Sequence, residues 1–153
     1  MSILLLSCYE LGHQPLSLAW PLAFLEEAGL AATAVDLSLS PFPETEAENA
    51  AFVGIAVPMH TALRLGVAAA RRVRAANPAA HICFYGLYAW LNRNYLLGEG
   101  LADSVLAGEV EPSLTAQVQA VLAGEQVTAV SHPILSRQPF PIPQRAPLPD
   151  LGN

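Results

Sequence analysis

The sequence contains no lysine: its seven basic residues are all arginine, set against thirteen acidic ones, for a formal net charge of −6. That absence removes a Walker-type phosphate loop, Schiff-base chemistry and a lysine general base. The acidic balance argues against nucleic-acid binding, which needs a basic stripe. Charge of either sign is scarce, at 13% of residues, while 53% are hydrophobic, a composition that builds a core and excludes disorder. Cysteine is nearly missing. Cys8 and Cys83 stand far apart in apolar stretches, which predicts buried, reduced thiols. A disulfide between them stays open, but a disulfide framework or a metal-spaced cluster does not. No basic residue precedes Arg64, so the N-terminal apolar run lacks the charged flank of a secretory signal. No uncharged apolar segment approaches the roughly 20 residues needed to span a bilayer. The expectation is a cytoplasmic protein that meets neither membrane nor nucleic acid.

What is present is an alternation of short apolar runs with helical patterns. The 153 residues suit one core. Ile3 to Ser7 is a continuous apolar run, as expected of a strand covered on both faces. Tyr9 to Ser17, with Gly12 and Pro15, reads as a loop. A helix follows and stops at Gly29, with Pro21 either opening its main part or kinking it. Thr33 to Asp36, Phe52 to Val57, His81 to Tyr85 and Ser104 to Ala107 read as further strands. Between them lie a short helical piece at Glu44 to Ala50 and helices at Thr61 to Ala76 and Tyr88 to Leu97. In the second of these, Leu63, Val67, Ala70 and Val73 recur at helical spacing, and Arg71, Arg72 and Arg74 form a solvated face. A last helix opens at Glu111-Pro112 and ends before Gly124. Strands alternating with helices imply right-handed crossovers and a parallel sheet. The expected fold is a doubly wound, flavodoxin-like α/β domain, strand order 2-1-3-4-5, with helices on both faces. Its ligand-side loops, beyond the carboxyl ends of the strands, are then residues 8–17, 58–61, 86–88 and 108–112.

Residues 1–124 make up this domain, and residues 125–153 have a different composition. Six of the thirteen prolines fall after His132, which predicts an extended, partly polyproline segment. It reads as a linker toward something further along a longer protein, a docked tail being the alternative.

No nucleophile–base pair, carboxylate dyad or metal-ligand spacing is visible, and no serine sits in a G-x-S-x-G elbow. A phosphoacceptor receiver is excluded, because Val57-Pro58 and Ala107-Gly108 stand where its aspartate and lysine belong. A flavin site would want a hydroxyl-rich loop after the first strand, and Cys8-Tyr9-Glu10 is a poor candidate for one.

Along the chain come Gln14-Pro15-Leu16-Ser17-Leu18-Ala19-Trp20, Leu25 to Gly29, Ala34-Val35-Asp36-Leu37, Val53-Gly54-Ile55-Ala56, Asn77-Pro78, Tyr85-Gly86, Gly108-Glu109-Val110-Glu111, and Phe140 to Arg145. Motifs in this order resemble the N-terminal cobalamin-binding domain of radical S-adenosylmethionine (radical SAM) proteins. Each motif is weak alone, and their order covers nearly the whole chain. Two departures stand out: Tyr85 replaces the first glycine of a Gly-Gly pair, and Glu10-Leu11-Gly12-His13-Gln14-Pro15 does not reproduce the D-x-H-x-x-G of histidine-ligated cobalamin domains.

The resemblance implies a cobalamin held at the carboxyl edge, its nucleotide tail entering between strands. The implied contacts are Glu10, Gly12, His13, Gln14, Pro15 and Leu16 in the first loop, then Met59, His60 and Thr61, then Gly86, Leu87 and Tyr88, then Gly108 and Glu109. Gly86 and Gly108 would allow close approach of the ligand, or simply serve turns. His13 would be a polar loop residue or a cobalt ligand. His60 would meet the ligand or stay solvated beside a capping Thr61, and Tyr85, Tyr88 and Trp90 would stack on the ligand or fill core. No catalytic residue is expected, since two cysteines cannot supply a CxxxCxxC cluster. S-adenosylmethionine and the 4Fe–4S cluster would belong to a downstream radical SAM domain, the expected partner. The competing reading is a flavodoxin-like interaction domain that binds no corrinoid.

Overall fold

A computed structural model of the chain describes residues 1–131, 133, 134 and 136–150. Five strands, β1 (Ser2–Ser7), β2 (Thr33–Asp36), β3 (Ala50–Ala56), β4 (His81–Tyr85) and β5 (Ser104–Leu106), form one sheet in the order β2-β1-β3-β4-β5. Every pairing is parallel, with Ser7 opposite both Asp36 and Ala56, and Ala56 opposite Tyr85. The helices are α1 (Leu16–Glu27), α2 (Glu44–Asn49), α3 (His60–Ala76), α4 (Leu87–Leu91), α5 (Arg93–Gly98) and α6 (Glu111–Leu122). The fold is the doubly wound α/β arrangement that the alternation of runs implies.

Successive strand residues point to opposite faces, and two cores result. Leu4, Leu6, Val53, Ile55, Ile82 and Phe84 pack against α2 to α5; Ile3, Leu5, Phe52, Cys83, Tyr85 and Leu106 pack against α1 and α6. Both cysteines are free and buried, and burial pushes both thiols up to about 12, so neither is a nucleophile near neutrality. Among the described residues no helix is long and apolar enough to cross a membrane.

Two elements differ from expectation and one open alternative is decided. Helix α1 starts at Leu16, so Pro21 lies inside it rather than opening it. The expected helix at Tyr88 to Leu97 is two short ones, α4 and α5. Asn92 separates them, its Nδ2 donating back to the Tyr88 carbonyl at 2.8 Å and its backbone leaving helical values. Arg74 does not belong to a merely solvated face: it donates to the carbonyls of Ala80 and Gly100 and pairs with Asp103 at 2.7 Å. Arg71 and Arg72 are exposed as expected, with Arg72 over the Phe42 ring and paired with Glu44.

The described part of the proline-rich segment is docked at several points. The Val105 amide donates to the Ala129 carbonyl at 2.8 Å, and parallel bridges join Val105 to Val130 and Gly108 to Ile134, covering the β5 edge. Phe140 meets Trp20 and Phe24 edge-on, the Gln144 amide donates to the Ala19 carbonyl, and Leu148 is 4% exposed within the α1–α6 core.

Candidate functional site

The loops after β1, β3, β4 and β5 all open at one edge because the sheet is wholly parallel. In the first loop, Glu10-Leu11-Gly12-His13 is a tight turn with Leu11 at φ 54° and Gly12 at φ 72°, closed by the His13 amide donating to the Glu10 carbonyl at 3.0 Å. A leucine at positive φ is strained. This one is also 64% exposed. Glu10 turns inward and accepts the Ser17 hydroxyl at 2.7 Å at the start of α1, and burial raises its carboxyl above the ordinary value. His13 is exposed at the tip of the turn. Pro15 is buried as the N-cap of α1, and Leu16 packs on the α1–α6 core. Gln14 faces the tail instead, donating to the carbonyls of Arg145 and Leu148 at 3.2 and 3.4 Å.

Met59 caps α3 through its backbone alone, and His60 is the first helical residue. Thr61 is exposed and provides no side-chain cap. The His60 ring meets Tyr88 edge-on at 6.2 Å, which joins the β3 and β4 loops. Leu87 beside them is 62% exposed. Trp90 carries the Arg93 guanidinium over its ring, at 4.4 Å.

Both glycines are required by the chain's own backbone. Gly86 sits at φ 109°, and a Cβ there would lie 2.9 Å from the Val57 carbonyl oxygen. Gly108, at φ 74°, would place a Cβ 3.0 Å from the Ile134 carbonyl oxygen, so the close approach is to the docked tail.

Sequence reasoning missed three features. First, among the described residues Ser7 Oγ, Glu109 Oε2 and Glu111 Oε2 are buried without a hydrogen-bond partner, near the carboxyl ends of β1 and β5; Glu109 is an expected contact, but its burial has no sequence signal. Buried polar atoms are normally satisfied, which makes three orphans at one edge informative. Burial, and secondarily the neighbouring Glu109 charge, raise the Glu111 carboxyl. No pattern in the sequence marks Ser7. Second, Tyr85 is 2% exposed and donates its hydroxyl to the Ser17 carbonyl at 2.7 Å. Pro21 has no N–H to give that carbonyl four residues earlier, and Tyr85 supplies the missing donor. Third, Gly54 makes room for that ring: a Cβ there would lie 2.8 Å from Leu5 Cδ2 and 3.3 Å from Tyr85 Cε1. Tyr85 is therefore core, spanning β4 to α1.

At the opposite edge, His81 Nε2 and Ser104 Oγ are 2.9 Å apart, but Ser104 is fully buried and donates to Gln117 Oε1 at 2.7 Å. This pair is structural. Among the described residues no group of three His, Cys, Asp or Glu is arranged to hold a metal ion.

Fold and site together define a flavodoxin-like parallel α/β domain with a polar, partly apolar loop edge. No protein-family model matches the chain, and no curated protein matches it. A cobalamin can be tested against the residues present. The loop edge exposes Leu11, Leu87 and the imidazoles of His13 and His60, while the unpartnered oxygens of Ser7, Glu109 and Glu111 are buried within it. The interior does not suit a nucleotide tail, because Tyr85 fills the space between the sheet and α1.

Proposed function

We propose that this chain is a corrinoid-binding module, the cobalamin-holding part of a radical SAM enzyme whose catalytic domain lies outside these residues. The observation that carries the reading is the set of orphaned oxygens on Ser7, Glu109 and Glu111. An unsatisfied buried acceptor destabilises a fold until a donor arrives. The periphery of a corrin is rich in primary amides, which are such donors. Leu11 and Leu87 would cover the apolar parts of the macrocycle, with Met59, His60 and Tyr88 between them. The corrinoid would supply the cobalt-centred chemistry; this chain would bind and orient it. The motif order across the chain supports the same reading.

Hydroxocobalamin mixed with the protein should survive desalting, with its visible absorbance retained in the protein fraction. Glu109→Ala should weaken retention about tenfold, the worth of one hydrogen bond to a charged acceptor. His13→Ala should leave the bound spectrum unchanged, because His13 stands alone on an exposed turn. If no corrinoid is retained, a protein-interaction module is the correct reading. The filled interior at Tyr85 and the docked tail favour that second reading.

A further inference from the structure

Leu11, in the loop after β1, is the one residue other than glycine at positive φ among those described. Its side chain is exposed, so its own packing does not hold it there. Such a backbone persists only where its surroundings over-determine it. Two tethers lie within the loop: the His13 amide closes the turn on the Glu10 carbonyl, and Glu10 is fixed by the Ser17 hydroxyl. A third leaves the loop altogether. Gln14 Nε2 donates to the carbonyls of Arg145 and Leu148, and Arg145 Nη1 donates back to Gln14 Oε1 at 3.4 Å. These tail atoms are themselves held. The Leu148 amide donates to the Arg145 carbonyl at 3.0 Å, the Leu148 side chain lies in the α1–α6 core, and the Gln144 amide is bonded to Ala19 in α1. The loop after β5 meets the tail as well, through the bridge from Gly108 to Ile134. The loops after β3 and β4 hydrogen-bond to no tail residue among those described.

We propose that the tail from Phe140 to Leu148 is a strap that keeps the first ligand-side loop in its strained turn, so that tail docking and loop shape are one coupled equilibrium. With the strap released, Leu11 loses the outside tether that opposes its return to negative φ, and the turn relaxes. The coupling runs both ways. A partner that draws the tail off α1 reshapes the loop edge, and a ligand that needs another loop shape loosens the tail. It holds whatever the edge binds, a corrinoid or none.

NMR on the whole chain tests it, since backbone chemical shifts of Leu11 report its φ and amide exchange over residues 144–148 reports docking of the strap. Leu148→Ala removes the strap's buried anchor and leaves every hydrogen-bonding atom of the clasp in place. It should move the Leu11 shifts toward negative φ and speed exchange over residues 144–148 at least several-fold, while Tyr88 after β4 is unmoved. If Leu148→Ala leaves the tail docked, adding Phe140→Ala removes the second apolar anchor and is read in the same way. Gln14→Ala cuts the clasp from the loop side and should produce both changes again. Leu11→Gly is the discriminating variant, because glycine adopts this φ without strain. It removes only an exposed side chain, yet should slow exchange over residues 144–148 by about threefold, as the reciprocity of coupling requires. Leu11 shifts that stay unchanged once the tail has opened would show that the turn is held from within the loop, and would overturn the proposal. Unchanged or faster exchange in Leu11→Gly overturns it too, because a tail that merely packs does not sense the strain of the turn.

Discussion

The two faces of the sheet are filled by different means. On one, α3 descends on small residues, Ala62, Gly66, Ala69 and Ala70, until its backbone nearly touches β3, and large strand residues such as Phe84 close the remaining gaps. On the other, α1 and α6 leave room for Tyr85, and the layer is completed by a segment more than 100 residues from α1 in sequence, through Leu148 and Phe140. The first face is built from α3 and, around it, α2, α4 and α5, all within residues 44–102. The second has a hydrophobic core of its own, but its outer layer is tied on from a distant segment: Gln14 to the tail carbonyls and Gln144 to Ala19, with Tyr85 bonded to Ser17 beneath. A face assembled in this way can be loosened piecemeal, whereas the α3 face can only fail as a whole.

Truncating one anchor on each face gives the largest contrast. Phe84→Ala removes a fully buried ring from the α3 side and should cost about 3–5 kcal/mol, lowering the melting temperature by roughly 10 °C. Leu148→Ala removes a side chain that is nearly as buried, yet should lower the melting temperature by less than half as much. Its main effect should be local: proteolysis and amide exchange within residues 136–150 should accelerate at least several-fold while β1 and β3 stay protected. Equal losses of global stability in the two variants would mean that the tail is integral to the core, and the contrast between the faces would fall.

The difference between the faces also explains which parts were legible in the sequence. β2 and β4 begin and end where the apolar runs do, because turn residues bound them closely. Alternation implies a parallel sheet with few topologies, and the flavodoxin-like order expected among them is the one observed. The α3 face was readable through the spacing of Leu63, Ala70 and Val73. The other face was not. Extended proline-rich chain has no periodicity, so nothing marks Leu148 as a core residue or Gln14 as its clasp. Tyr85 could be assigned to strand four and to an inward or outward position, but its fit over Gly54 is a match between two strands that neither run reveals. Gly86 and Gly108 were legible as sites of close approach, though the atoms approached belong to Val57 and Ile134. The orphaned oxygens follow from burial in three dimensions, and only the glutamates of the Gly108-to-Glu111 turn had attracted notice.

A smaller effect isolates the link between Pro21 and Tyr85. Tyr85→Phe leaves the Ser17 carbonyl without a donor and should cost about 1 kcal/mol. In a Pro21→Ala background the helix recovers an N–H at that position, so the same substitution should cost measurably less. A coupling of about 0.5–1 kcal/mol in the double-mutant cycle is expected. Strict additivity would show that the two residues act independently and that the hydroxyl bond does not compensate the proline.

The smallest effect is a pH dependence, and it concerns the edge where the faces meet the loops. Burial, with the Glu109 charge adding to it, holds the Glu111 carboxyl above its ordinary value of 4.5, and Glu10 is shifted in the same direction by its own burial. The folded chain therefore binds these protons more tightly than the unfolded chain does. Between the ordinary value and the raised one the folded state carries more protons, so stability falls as pH rises through that window and is fully present only below it. Glu111→Gln mimics the protonated acid. It should be more stable than the wild type at pH 7, and the two should converge as pH falls toward 4.5, which melting curves across that range would show. A variant less stable than the wild type at pH 7 would mean that the ionised Glu111 carboxylate is well satisfied, and that its buried oxygen is no vacancy for a ligand's donor. This measurement therefore bears on the loop edge without requiring any corrinoid to be present.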